Sequence, residues 1–189
     1  MKKGIATLIV VGVLSLGLKA GELEGVPMPD QVTVGEHVLK LNGMGLRLKK
    51  VAFIKVKVYV AGLYLETPSK DPAKILNADE TRRIVMHFLY KEVDRKKLVD
   101  AWIEGFESNS PKKADALKPK LERFNKFWPT MKKGEDAVLT YVPGEGTHVS
   151  INGEEVGIIE GKDFADALFA VWLGAKPPNA DLKKGLLGR

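Results

Sequence analysis

Residues 41–66 read LNGMGLRLKKVAFIKVKVYVAGLYLE, and the fold turns on how this stretch is paired. From Ala52 the even positions Ala52, Ile54, Val56, Val58 and Val60 are all apolar, whereas the odd positions include Lys55, Lys57 and Tyr59. A period of two marks a β-strand with unlike faces, because successive side chains leave a strand on opposite sides. The even face is expected to be core. Arg47 and Lys49 share the odd parity and are flanked by Leu46 and Leu48, so a second two-faced strand precedes the first. The alternation marks no turn between the two. A bend near Phe53 sets Arg47 and Tyr59 opposite each other in an antiparallel pair, where facing side chains lie about 5 Å apart; a bend at Lys49 and Lys50 keeps them apart.

Outward from this pair, Gly21 to Asp30 reads as a proline-containing linker and Gln31 to Leu41 as a pair of strands. Asp71-Pro72 opens a short helix, since proline suits the first turn, where its missing N–H has no helical partner to lose. Arg82 to Tyr90 reads as a strand. Asp94 then caps a helix that carries Leu98, Ala101, Trp102, Gly105 and Phe106 on one face, and Asn109, Ser110 and Pro111 break it. The next helix is lysine-rich and is expected to be entered near Pro119. Its stripe of Leu117, Leu121, Phe124 and Trp128 makes the surrounding lysines a solvated face; a membrane-surface role for the helix is the competing reading. Three short strands follow, Ala137 to Val142, Thr147 to Ile151 and Glu155 to Glu160, with turns at Pro143-Gly144 and Asn152-Gly153. Two helices close the chain, Lys162 to Leu173 and Ala180 to Leu187. Strands and helices come in blocks, which predicts α+β: an antiparallel sheet with helices packed on one face.

The 189 residues, 44% hydrophobic and 29% charged, suit one domain with a sizeable core. Lys2 and Lys3 precede an apolar run of 15 residues, Gly4 to Leu18, which ends at Lys19 and Ala20. That is the layout of a secretory signal peptide over residues 1–20, and the run is short of the ~20 residues of a spanning helix. The domain is therefore residues 21–189, placed in the periplasm or secreted, monomeric, and touching a membrane only through its leader. Of the formal charge of +6, Lys2, Lys3 and Lys19 supply three. The remainder gives no basic stripe of the kind that nucleic acid requires.

Cysteine is absent, which excludes disulfides, thiolate catalysis and cysteine metal sites. His37, His87 and His148 lie far apart without ligand spacing, so no metal is expected. There is no nucleophile elbow and no phosphate-binding loop. Gly43-Met44-Gly45 is half of a dinucleotide fingerprint, but a third glycine is missing and a strand follows in place of a helix, so no cofactor is expected.

Gly43, Gly45 and Arg47, followed by Gly62-Leu63-Tyr64-Leu65-Glu66, resemble the frame of the chalcone isomerase family. Ala167 to Gly174 (ALFAVWLG) and Asp181 to Leu186 (DLKKGL) are similar to its last helices, so the likeness spans roughly residues 41–187. The resemblance implies an open-faced β-sandwich and places the chain with the bacterial, exported branch. In the plant enzymes a strand arginine holds the anionic substrate, and its place is taken here by Arg47. The accompanying strand threonine falls at Tyr59, a tyrosine and an asparagine near Val93 and Asp100, and a late hydroxyl near Val171. Only the arginine is kept, which argues against flavonoid cyclisation.

The pair that remains, Arg47 and Tyr59, resembles the fatty-acid-binding members of the same superfamily. A guanidinium offers a carboxylate two parallel donors, a tyrosine hydroxyl adds a third, and an apolar cleft takes the chain. The expected function is non-catalytic binding of a fatty acid or similar apolar carboxylate. The alternative is an isomerase or lyase acting on a small enone, which needs a second proton-handling group in the cleft. Tyr64 is expected to be core, and an ordinary surface ion pair is the plain reading of Arg47.

Overall fold

A computed structural model describes residues 21–189, and the leader expected over residues 1–20 lies outside the described residues. The described chain begins with a hairpin where a linker was expected: β1 (Gly21–Leu23) and β2 (Val26–Met28). Its turn takes left-handed backbone at Glu24 (φ 56°) and Gly25 (φ 76°), which matches a two-residue turn to the twist of its strands. Pro27 sits exposed between buried Val26 and Met28; in so small a hairpin its missing N–H is tolerated at an edge.

Next come β3 (Gln31–Val34) and β4 (His37–Val51), an antiparallel pair. β4 does not stop at Leu41 as expected but runs through it for 15 residues. Asn42 is taken up as a bulge, since Leu41 pairs with Tyr64 and Gly43 with Leu63. Its amide is used on both sides: Nδ2 donates to the Leu186 carbonyl and Oδ1 accepts from the Ser69 N–H, each at 2.8 Å. The bend falls at Ala52 and Phe53, so β4 and β5 (Ile54–Leu65) form one long hairpin.

The remaining elements are α1 (Pro72–Asn77), β6 (Arg82–Phe88), β7 (Glu92–Val93), α2 (Arg95–Asn109), α3 (Ala114–Lys126), β8 (Met131–Lys132), β9 (Asp136–Val142), β10 (Gly146–Ile151), β11 (Glu154–Ile159), α4 (Lys162–Leu173) and α5 (Ala180–Leu186). Seven strands make one antiparallel sheet in the order β11-β10-β9-β6-β5-β4-β3. The helices enclose the main core on one face, while β2 covers a smaller cluster around Leu39, Val60 and Tyr64 on the other. The fold is α+β with helices on one face, as the block order of elements predicts.

α3 starts at Ala114, ahead of the entry expected near Pro119. The Lys113 N–H bonds to the Ser110 carbonyl (2.9 Å) and the Leu117 N–H to the Lys113 carbonyl (2.9 Å), so the helix is wound before the proline arrives. Pro119 then costs one backbone bond at an exposed position. Leu117, Leu121, Phe124 and Trp128 are all buried, which leaves α3 no apolar face for a membrane.

α5 lies directly on the backbone of β4. A methyl group on Gly45 would come within 2.4 Å of the Leu182 carbonyl oxygen, and one on Gly43 within 2.1 Å of that of Gly185. The glycines read from the sequence as an approach to Arg47 are thus the floor on which α5 rests, and this brings the start of α5 to Arg47.

Candidate functional site

Arg47 and Tyr59 are register partners in β4 and β5, and both line one cavity of about 650 Å³. A second bulge arranges this. Arg47 pairs with Tyr59 but Leu48 pairs with Lys57, which leaves Val58 as the extra residue of β5. The Val58 carbonyl accepts from the N–H groups of Leu89 (2.9 Å) and Tyr90 (3.2 Å) at the end of β6. Val56 and Val58 therefore share the helix-facing side with Tyr59, Ala61, Leu63 and Leu65, while Val60 and Tyr64 face the smaller cluster. The even-position core face expected along β5 is corrected here, because one inserted residue exchanges the faces. Tyr64 lies in that second cluster, where its hydroxyl donates to the Pro29 carbonyl at 3.0 Å.

Tyr59 is buried, and the wholly buried indole of Trp172 on α4 donates to its hydroxyl oxygen at 3.1 Å. Burial holds the Tyr59 phenol above its ordinary range, against the opposing pull of the Arg47 charge and the Trp172 hydrogen bond. At neutral pH the phenol keeps its proton. Its oxygen accepts from Trp172, and its own O–H, which meets no acceptor among the described residues, can serve as a donor.

Arg47 is half-buried, and neutral oxygens answer its charge. Nη1 donates to the Leu48 carbonyl, to the Pro178 carbonyl (3.2 Å) and towards Asn179 Oδ1 (3.5 Å). Among the described residues it makes no ion pair with a carboxylate. Asn179 binds the strand on both sides of Arg47, its Oδ1 accepting from the Leu48 N–H (3.2 Å) and its Nδ2 donating to the Leu46 carbonyl (3.1 Å). Asn179 precedes α5 as a capping residue type, yet its side chain makes no bond to its own helix. It serves the site instead.

The buried wall of the cleft is apolar: Val58, Met86, Phe88, Leu98, Trp102 and Val171. Trp102 adds an indole N–H that finds no partner among the described residues. The charged lining residues other than Arg47 are exposed and belong to the mouth: Lys49, Lys50, Glu92, Lys97, Glu104 and Lys176. Of the buried lining residues, Tyr59 is the titratable one. Val93 and Val171, near which the resemblance puts the plant enzymes' tyrosine and late hydroxyl, line the cleft as aliphatic groups. Asp100 is exposed on α2 and pairs with Lys96 at 2.8 Å. Trp172 and Asn179 were not foreseen as site residues. The amphipathic pattern of α4 and the Pro-Pro-Asn entry to α5 mark them as structural positions only.

Among the described residues no group of His, Asp and Glu is arranged to hold a metal, and no helix is long and apolar enough to cross a membrane. A family model described as chalcone isomerase-like matches residues 20–188. None of the curated proteins compared with the chain matches it. Among solved structures, the crystal structure of a fatty-acid binding protein from Arabidopsis thaliana is similar in fold, with a TM-score of 0.68 at 18% identity. The match covers 86% of this chain and 92% of that one.

Proposed function

The chain belongs to the chalcone isomerase-like family, and from that premise we propose that its cleft binds a fatty acid or similar apolar carboxylate without transforming it. The observation that carries this reading is a guanidinium on the wall of an apolar cleft with only neutral oxygens for company. A cation taken part-way out of water needs a counter-charge, and here the ligand would supply it. Among the described residues only Nη1 is spent on the protein, so the Nε and Nη2 edge is left to meet a carboxylate with two parallel bonds. The protonated Tyr59 hydroxyl adds a third donor.

A volume of about 650 Å³ lies within the roughly 300–1,000 Å³ of ligand sites. Burying about ten methylene groups there contributes about 8 kcal/mol at ~0.8 kcal/mol each, before the ordering cost of binding is subtracted. The isomerase alternative asks for a second proton-handling group in the cleft. With Tyr59 as the titratable group of the buried wall, the lining supports binding over chemistry. With the leader expected over residues 1–20, the proposed place of action is the periplasm or the cell exterior.

The test is calorimetric titration of delipidated wild type, Arg47→Ala and Tyr59→Phe with one long-chain fatty acid and with its methyl ester. Arg47→Ala should weaken the acid at least tenfold, the equivalent of ~1.4 kcal/mol, and leave the ester unchanged. Asn179 still joins β4 through Leu46 and Leu48 in that variant, so the fold is kept. Tyr59→Phe should weaken the acid less, by the ~0.5–1.5 kcal/mol of one neutral hydrogen bond. Equal affinity of all three proteins for the acid refutes the proposal.

A further inference from the structure

The turn of the β4–β5 hairpin presents three apolar side chains to solvent: Phe53 is 97% exposed, Ile54 69% and Val51 50%. Large apolar groups left together in water are uncommon on a monomer and mark a contact surface. None of the three belongs to either core cluster. On both sides of the tip the strands carry exposed lysines, Lys49 and Lys50 on β4 and Lys55 on β5. Among the described residues these three make no ion pair, whereas Lys57, one step further back, pairs with Glu24 at 2.5 Å. An apolar point behind which unpaired cations are gathered has the chemistry of an interfacial anchor. The apolar groups enter the acyl boundary while the ammonium groups meet anionic headgroups.

The hairpin is also continuous with the cleft. Lys49, Lys50 and Val51 line the mouth of the cavity that Arg47 and Tyr59 line, and Tyr90, 41% exposed, stands on the same mouth. We propose that the tip formed by Val51, Phe53 and Ile54, with Lys49, Lys50 and Lys55, docks on an anionic lipid surface and sets the cleft mouth against the bilayer. A second copy of the chain is a poorer occupant, because a symmetric contact would bring these same lysines against each other. Glu92 and Glu104 on the mouth belong to β7 and α2 and lie outside the tip. Docking stands on the hairpin alone and does not depend on what the cleft holds. It adds a second membrane contact to the one expected from the leader.

The absence of cysteine allows a single environment-sensitive fluorophore on full-length Phe53→Cys, with Lys118→Cys on the solvated face of α3 as reference. Each is mixed with vesicles of phosphatidylcholine alone or of equal parts phosphatidylcholine and phosphatidylglycerol. On the phosphatidylglycerol vesicles the label at 53 should brighten and shift to the blue while the label at 118 does not. Lys49→Gln/Lys50→Gln/Lys55→Gln in the labelled protein should weaken the response about tenfold, and added salt should do likewise. An unlabelled Phe53→Ser/Ile54→Ser protein should keep wild-type affinity for the fatty acid in solution, which separates this proposal from the cleft reading. A label at 53 that stays in water while the protein floats with vesicles overturns the proposal, since the leader alone then anchors it. An equal response on phosphatidylcholine alone, or a tip-dependent dimer by sedimentation without vesicles, overturns it as well.

Discussion

Tyr59→Phe tests the site through stability, because the Tyr59 hydroxyl has a structural debt to Trp172 as well as its proposed task toward a ligand. The substitution removes one oxygen and keeps the ring, so the packing against Phe88, at 5.6 Å between ring centroids, survives. What is lost is the acceptor of the Trp172 indole N–H, on a side chain that is 0% exposed. Water cannot replace it there, and the neighbouring indole of Trp102 brings a further unpartnered donor instead of an acceptor. Stranding one buried donor costs about 1–3 kcal/mol. At roughly 2–4 °C per kcal/mol for a chain of this size, a cost near 2 kcal/mol lowers the Tm by about 4–8 °C. Thermal unfolding of the delipidated proteins, followed by circular dichroism, measures it. Trp172→Phe added on top removes the stranded donor, so the double variant should lose less than the two single losses together, by about that same 1–3 kcal/mol. A Tm for Tyr59→Phe within about 1 °C of wild type, or strict additivity, would refute the reasoning and leave the Tyr59 hydroxyl without a structural role.

Two more outcomes follow from the frame around the site. Gly45→Ala puts a methyl group 2.4 Å from the Leu182 carbonyl oxygen, so α5 must lift; overpacking of this kind costs about 1–3 kcal/mol. Tm and fatty-acid affinity should fall together, because Asn179 moves with α5, and an unchanged Tm would show that helix and strand are not so close. The second outcome concerns pH. Glu66 accepts from the Thr81 N–H at 2.6 Å and faces His37 at 3.1 Å. Burial raises its carboxyl pKa, but the hydrogen bond from Thr81 and the nearby His37 outweigh that and hold it below the ordinary 4.5. A carboxyl depressed in the folded state contributes stability above its ordinary value and loses it as the pH falls through the folded one. Tm should drop as the pH falls below about 4.5, and Glu66→Gln should flatten that drop; the same profile in both proteins removes Glu66 from the account.

Where a signal is local, it was legible in the chain. Asn152-Gly153 takes the left-handed pair of a tight hairpin (φ 51° and 85°), because few other residues do so without a steric cost. Asp94 caps α2 by accepting from the Lys96 N–H at 2.8 Å, and α4 spans the range its periodicity predicts. β1 and β2 had such a signal too, the turn at Glu24-Gly25, but the nearby prolines masked it. The site is another matter. Arg47 and Tyr59 could be named as candidates from residue type and resemblance, yet whether they meet depended on a bend that the alternation left open. Tertiary pairing decided it, by placing the turn at Ala52 and Phe53 and by spending Val58 as a bulge whose carbonyl the end of β6 takes up. A bulge changes no residue's local preference. It shifts register by one, and only partners across the sheet and in the helices determine which faces are then buried. The same holds for Trp172 and Asn179, which lie 113 and 132 positions along the chain from the groups they bond. No window of sequence contains both ends of such a contact, so its existence is a property of the packed sheet and helices alone.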